Sequence, residues 1–164
     1  MMLDKKLEES KNISDVFDLV KKTVRSTIKR DTAGLMLGMS DLGIDPNATL
    51  GAYYSPASNM IVVNRSILKK IKQKNPKSYK SYLFFILLHE YLHSVGVVDE
   101  QQTRTLTYEI ANRYFGKNHQ ITQIAQDFGN YLKASLGIND MFVEGDDKLD
   151  FVLGFNKSDL NYIG

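Results

Sequence analysis

Residues 83–88 read Leu-Phe-Phe-Ile-Leu-Leu, and the next five read His89-Glu90-Tyr91-Leu92-His93. A helical segment that is apolar on every side is buried on every side. Running such a segment straight into two histidines and a glutamate buries polar groups, at a cost of several kcal/mol unless they find partners. The fold must therefore supply those partners at the end of its most buried helix.

The spacing narrows what the partners are. On a helix, His89 and His93 share one face, about 6 Å apart along the axis. Two imidazoles so placed can both reach one zinc ion at about 2.0–2.1 Å. Glu90 lies one step round the helix, beside the ion rather than under it, where it can take a proton from the attacking water. A catalytic zinc also needs a third protein ligand and an open position. His119, the remaining histidine, falls between two expected helices and reads as a surface loop residue. The third ligand is then a carboxylate, with Asp99, Glu100 and Glu109 as candidates.

Gly96 stops the helix, and the short turn through Val97 and Val98 folds the next helix back on it. His93 precedes Gly96 by three residues and Glu100 follows it by four, so the two stand at similar heights. Glu109 lies about 13 Å beyond Glu100 at 1.5 Å per residue and overshoots. Asp99 suits the N-cap, with Gln102 completing a capping box. Glu100 is the favoured ligand and Asp99 the alternative.

Composition removes other chemistries. The chain has no cysteine, which excludes disulfides, thiolate-held zinc, iron–sulfur clusters and a cysteine nucleophile. A net charge of +2 gives no strong whole-chain field for nucleic acid or acidic lipid. The charged N-terminus lacks the apolar stretch of a secretory signal, and no apolar run approaches a membrane span of about 20 residues. The expectation is one cytoplasmic domain over residues 1–164, with neither membrane nor nucleic acid as partner.

The remaining pattern is α+β. Apolar residues at three- and four-residue steps predict a helix over 3–30. Residues 34–43 show no clear period, and Asp45-Pro46-Asn47-Ala48 marks a turn. Residues 50–54 and 60–64 read as a strand pair joined by Ser55-Pro56-Ala57-Ser58-Asn59. Helices are expected over 67–74, 77–95, 100–115 and 121–136, the last closed by Gly137. A small sheet packed on an active-site helix and further helices follows.

The pattern His89-Glu90-x-x-His93-x-x-Gly96-x-x-Asp99-Glu100 resembles the zincin metallopeptidases. Its His-Glu-x-x-His-x-x-Gly portion is similar to the metzincins, whose third ligand falls at Asp99; here aspartate replaces their usual histidine, as in the snapalysin type. A glutamate ligand on the following helix instead resembles the gluzincins, and the short connection resembles the compact minigluzincins. The resemblance covers residues 50–115 and implies a zincin-like fold, a bound Zn2+ and hydrolysis of peptide or protein substrates with Glu90 as general base. It also implies a cleft-rim strand that an extended substrate pairs with, at Met60-Ile61-Val62-Val63 by position.

Two other readings stay open: a zincin fold retained as a binding or regulatory module, and a protease acting on DNA-bound proteins through Lys69, Lys70, Lys72, Lys74, Lys77 and Lys80. An intact Glu90 speaks against the first, and a solvated helix face is the simpler account of the lysines. Arg104 or one of the nine tyrosines is a candidate for stabilising the oxyanion. Glu144, Asp146 or Asp147 of the acidic tail could fold over the cleft, although a solvated loop is the simpler reading.

Overall fold

The computed structural model describes residues 2–45, 50–136, 142–146 and 148–152. It is a mixed α+β fold: helices α1 (Met2–Glu9) and α2 (Ile13–Ile28), strand β1 (Met36–Ser40), strands β2 (Ala52–Ser55) and β3 (Met60–Asn64), helices α3 (Arg65–Lys74), α4 (Tyr79–Ser94), α5 (Glu100–Phe115), α6 (Gln120–Gln126) and α7 (Phe128–Leu136), and strand β4 (Leu149–Phe151). A 3-10 turn (Pro76–Ser78) leads into α4.

The single helix expected over 3–30 is two. The Ser10 N–H bonds back to the Leu7 carbonyl and closes α1. Asn12 then caps α2, its side chain accepting the Asp15 N–H at 2.9 Å. A short polar side chain with a local backbone donor in reach competes with continued helix, and the apolar period on either side does not reveal it. The helix expected over 121–136 is split in the same way at Asp127, whose carboxylate accepts the Asn130 N–H at 3.2 Å. Gly137 and residues 46–48 lie outside the described residues.

The sheet runs β2-β3-β1-β4. β3 pairs antiparallel with β2, as the hairpin signal predicts, and parallel with β1, from Met36 opposite Met60 to Ser40 opposite Asn64. All five β3 residues are buried, which suits a central strand flanked on both edges. The expectation that Met60-Ile61-Val62-Val63 forms the cleft rim is therefore corrected: the strand beside the cleft is β2, and β3 lies one place inward. β1 carries no clear alternation because its partner is distant in sequence and its burial comes from tertiary packing.

Asn64 ties this corner together. It is fully buried. Its Oδ1 accepts the Ser66 N–H as the cap of α3 and the Leu42 N–H, at 3.0 and 3.1 Å. Its Nδ2 donates to the carbonyls of Gly43 and Leu50, at 2.9 and 2.7 Å. The Leu50 bond holds the segment just ahead of β2.

The described part of the tail sits at the far edge of the sheet. Val143 exchanges both main-chain hydrogen bonds with Ile44, and β4 pairs antiparallel with β1. Arg65 binds Asp41 at 3.3 Å and Asp150 at 2.7 Å. Glu144 and Asp146 are exposed there, on the edge opposite β2, and do not cover the cleft; Asp147 lies outside the described residues. Among the described residues, no helix is long and apolar enough to cross a membrane.

At the centre of the core runs α4. Leu83, Phe84, Leu87, Leu88, Tyr91 and Leu92 are at most 1 % exposed. Phe17 of α2 meets Tyr91 edge to face at 5.4 Å, and Phe84 meets Phe115 of α5 at 5.2 Å. The helix that carries the motif is held on all sides before any ligand is considered.

Candidate metal centre

The end of α4 is built by a Schellman turn. Gly96, at φ 105°, donates to the His93 carbonyl, and Val97 donates to the Leu92 carbonyl. That φ is open to glycine and strained for any residue with a Cβ. The turn aims the Val97 carbonyl back at the helix, 2.7 Å from His93 Nδ1. The Thr103 hydroxyl lies 3.1 Å from the same carbonyl and 2.8 Å from that of Asp99, and donates its one proton between them. With Nδ1–H donating to Val97, the lone pair of His93 is on Nε2, which faces the next helix.

Glu100 opens α5 and meets both histidines. His89 Nε2 lies 2.7 Å from its Oε1, and His93 Nε2 lies 3.1 Å from its Oε2. The His89 and His93 rings are 5.0 Å apart and nearly perpendicular. One ligand atom from each of His89, His93 and Glu100 falls within 4.8 Å of the others. Two imidazole nitrogens and a carboxylate oxygen at that spacing fit a divalent cation of the borderline kind. The hydrogen bond from His93 Nδ1 to the Val97 carbonyl, which orients the ring, fits as well.

Asp99 is turned away from this group. Its Oδ2 caps α5 by accepting the Gln102 N–H at 2.8 Å. Glu109 is exposed on α5 and takes no part in the group. His119 lies in the connection between α5 and α6, as expected, but is half-buried and engaged rather than simply on the surface. It caps α6 through the Ile121 N–H at 3.1 Å, lies 3.0 Å from Asp4, and packs against Phe115.

Glu90 is 7 % exposed. Burial pushes its carboxyl up to about 8; the charge of Glu100 adds to this, while the Tyr54 main-chain N–H opposes it by bonding the carboxylate. Burial also pulls His89 down; Glu100 opposes this, and His93 adds to it. A cation shared by His89, His93 and Glu100 would offset the Glu100 charge and favour ionised Glu90.

A cavity of about 530 Å³ opens beside these groups, between α4, α5, the start of β2 and the α6–α7 junction. Phe85, Ile86, Ala125 and Phe128 give it apolar walls, and Glu90, Glu100 and Arg104 line it near the histidines. Arg104 is exposed, with Nε 3.9 Å from Glu100 Oε1. Among the described lining residues Arg104 carries the cationic side chain and no tyrosine appears; Tyr162 lies outside the described residues. Gly51 forms part of the wall because nothing larger fits: a Cβ there would stand 2.6 Å from the buried Tyr82 hydroxyl and 3.2 Å from Ile86.

The sequence pattern did not reveal the Val97 carbonyl, the Tyr54 N–H, Thr103 or the Phe128 wall. Two of these are main-chain groups and carry no residue signature. Phe128 reaches the cavity through the break at Asp127.

No protein-family model matches the chain, and no curated protein or solved structure matches it either. The chemistry open to this site follows from its own atoms.

Proposed function

We propose that this chain is a zinc-dependent peptidase of zincin type, hydrolysing peptide bonds with Glu90 as general base. The observation that carries the reading is the convergence of His89 Nε2 and His93 Nε2 on the two oxygens of Glu100, with buried Glu90 alongside and a cavity in front. His89, His93 and Glu100 would hold the ion. Zinc, when bound there, supplies Lewis-acid polarisation of the scissile carbonyl and of the attacking water.

The chain's own residues account for the remainder. His93 is kept in the tautomer that presents Nε2 by donating Nδ1–H to Val97. Glu90 accepts the proton of the attacking water and delivers it to the departing amine nitrogen. Arg104 brings positive charge to the cavity mouth, where negative charge gathers on the carbonyl oxygen. An extended substrate pairs with the edge of β2 that no described strand occupies, where the Tyr54 N–H already faces Glu90.

The test is joint. Purified protein is loaded with zinc, dialysed and assayed for metal, then offered a denatured protein substrate whose fragments are read by mass. One zinc per chain and cleavage that disappears in Glu90→Gln support the proposal. Protein that keeps no zinc after loading refutes it.

A further inference from the structure

Between Asp45 and Glu90 the sequence has no acidic residue, while residues 65–80 hold Arg65 and six lysines. On sequence alone such a run is a solvated face. The fold does something more specific with part of it. A second cleft, of about 430 Å³, receives Lys72 from α3, Lys77 from the 3-10 turn and Lys80 from α4, together with Lys11 from the α1–α2 connection. Four lysines from four elements converge on one concavity, and Lys11 lies more than 60 residues away in sequence.

The acids of this cleft are Asp4 and Glu8. Asp4 is engaged by His119 at 3.0 Å. Lys80 is directed into place by a hydrogen bond to the Glu8 carbonyl oxygen. Lys11 and Lys77 are exposed. The cleft is thus a cationic hollow at the opposite end of α4 from the metal centre, within the range of about 300–1,000 Å³ that takes small ligands.

We propose that this cleft binds a small soluble anion carrying two or more phosphate groups. Lysines act as point charges toward phosphate, and several around one hollow favour clustered negative charge over a single carboxylate. An extended nucleic-acid strand fits less well. It needs a continuous basic track, and α1 sets Asp4 and Glu8 across that path. It also favours open aromatic faces for stacking, and the Tyr79 ring is covered by the Lys72 ammonium, 5.3 Å from its centroid.

The probe is inorganic tripolyphosphate, titrated calorimetrically into the full chain at low salt. Saturable one-to-one binding is expected, weakened about tenfold or more in Lys11→Ala/Lys77→Ala, since each lost ammonium removes one phosphate contact. Both positions are exposed, so the variant keeps its fold, which circular dichroism checks. Lys70→Ala/Lys74→Ala, on the part of α3 outside the cleft, is the control and should bind like the parent. Absence of saturation overturns the proposal, as does equal weakening in both variants, which means a diffuse basic face. Binding to a single-stranded oligonucleotide or to anionic vesicles that tripolyphosphate does not displace also overturns it. None of these outcomes depends on peptidase activity.

Discussion

His93 Nδ1 lies 2.7 Å from the carbonyl oxygen of Val97, four residues on. The acceptor is a main-chain group, so its position is set by the turn at Gly96 and not by any side chain. The same turn delivers Glu100 to the two Nε2 atoms. In the proposed site, metal affinity and local backbone conformation would therefore be one property.

Gly96→Val tests that link. A β-branched residue at φ 105° is strained, at a cost of about 1–3 kcal/mol. Denaturant titration should show this loss of stability, and chelator competition should show weaker zinc binding than in the parent. A variant that loses stability but keeps parental zinc affinity would separate the turn from the site.

Among the acidic candidates, Glu100→Ala should weaken zinc most in competition with a chromogenic chelator. Asp99→Ala removes an N-cap and should cost about 1 kcal/mol of stability while largely keeping the metal. Glu109→Ala should change neither. If Asp99→Ala proves the worst binder, the ligand assignment fails.

Glu90→Gln is expected to retain zinc and fold but to lose turnover by about 10²–10⁴-fold. Glutamine keeps the shape and can still accept the Tyr54 N–H, so stability should hold. Loss of zinc in this variant would make Glu90 a ligand instead of a base.

Zinc should also stabilise the folded chain by mass action. At free zinc about 1,000-fold above its Kd the gain is about 4 kcal/mol. Thermal melts with and without zinc should show a raised Tm in the parent and almost no rise in His93→Ala. An equal rise in both would place the metal elsewhere.

Asn64→Ala should destabilise the fold by about 2–3 kcal/mol, because the buried Gly43 carbonyl and Ser66 N–H and the part-buried Leu42 N–H and Leu50 carbonyl lose their partner. Denaturant unfolding measures it. A loss below about 0.5 kcal/mol, the range of ordinary surface changes, would mean that water replaces the amide.

The α4 segment, the stop at Gly96 and the Asp99 cap were legible from residues alone because helix period, capping and glycine turns are local. His89 and His93 share a face for the same reason, and the short turn brought Glu100 to their height. Asn12 and Asp127 mark the limit of that approach: each interrupts an apolar period that continues on both sides, so the local hydrogen bond outweighed the pattern.

The rest was decided by contacts between residues far apart in the chain. β1 is a strand because β3 lies beside it, and β2 rather than β3 borders the cleft because β1 occupies the other side of β3. The Tyr54 N–H reaches Glu90 only once the sheet is laid on α4. The cavity wall at Phe128 and the meeting of Lys11 with Lys77 arise the same way. A single sequence records which groups a chain carries and how its neighbours repeat; which distant groups face one another is set by the packing of whole elements, where apolar area is buried between segments that no local pattern connects.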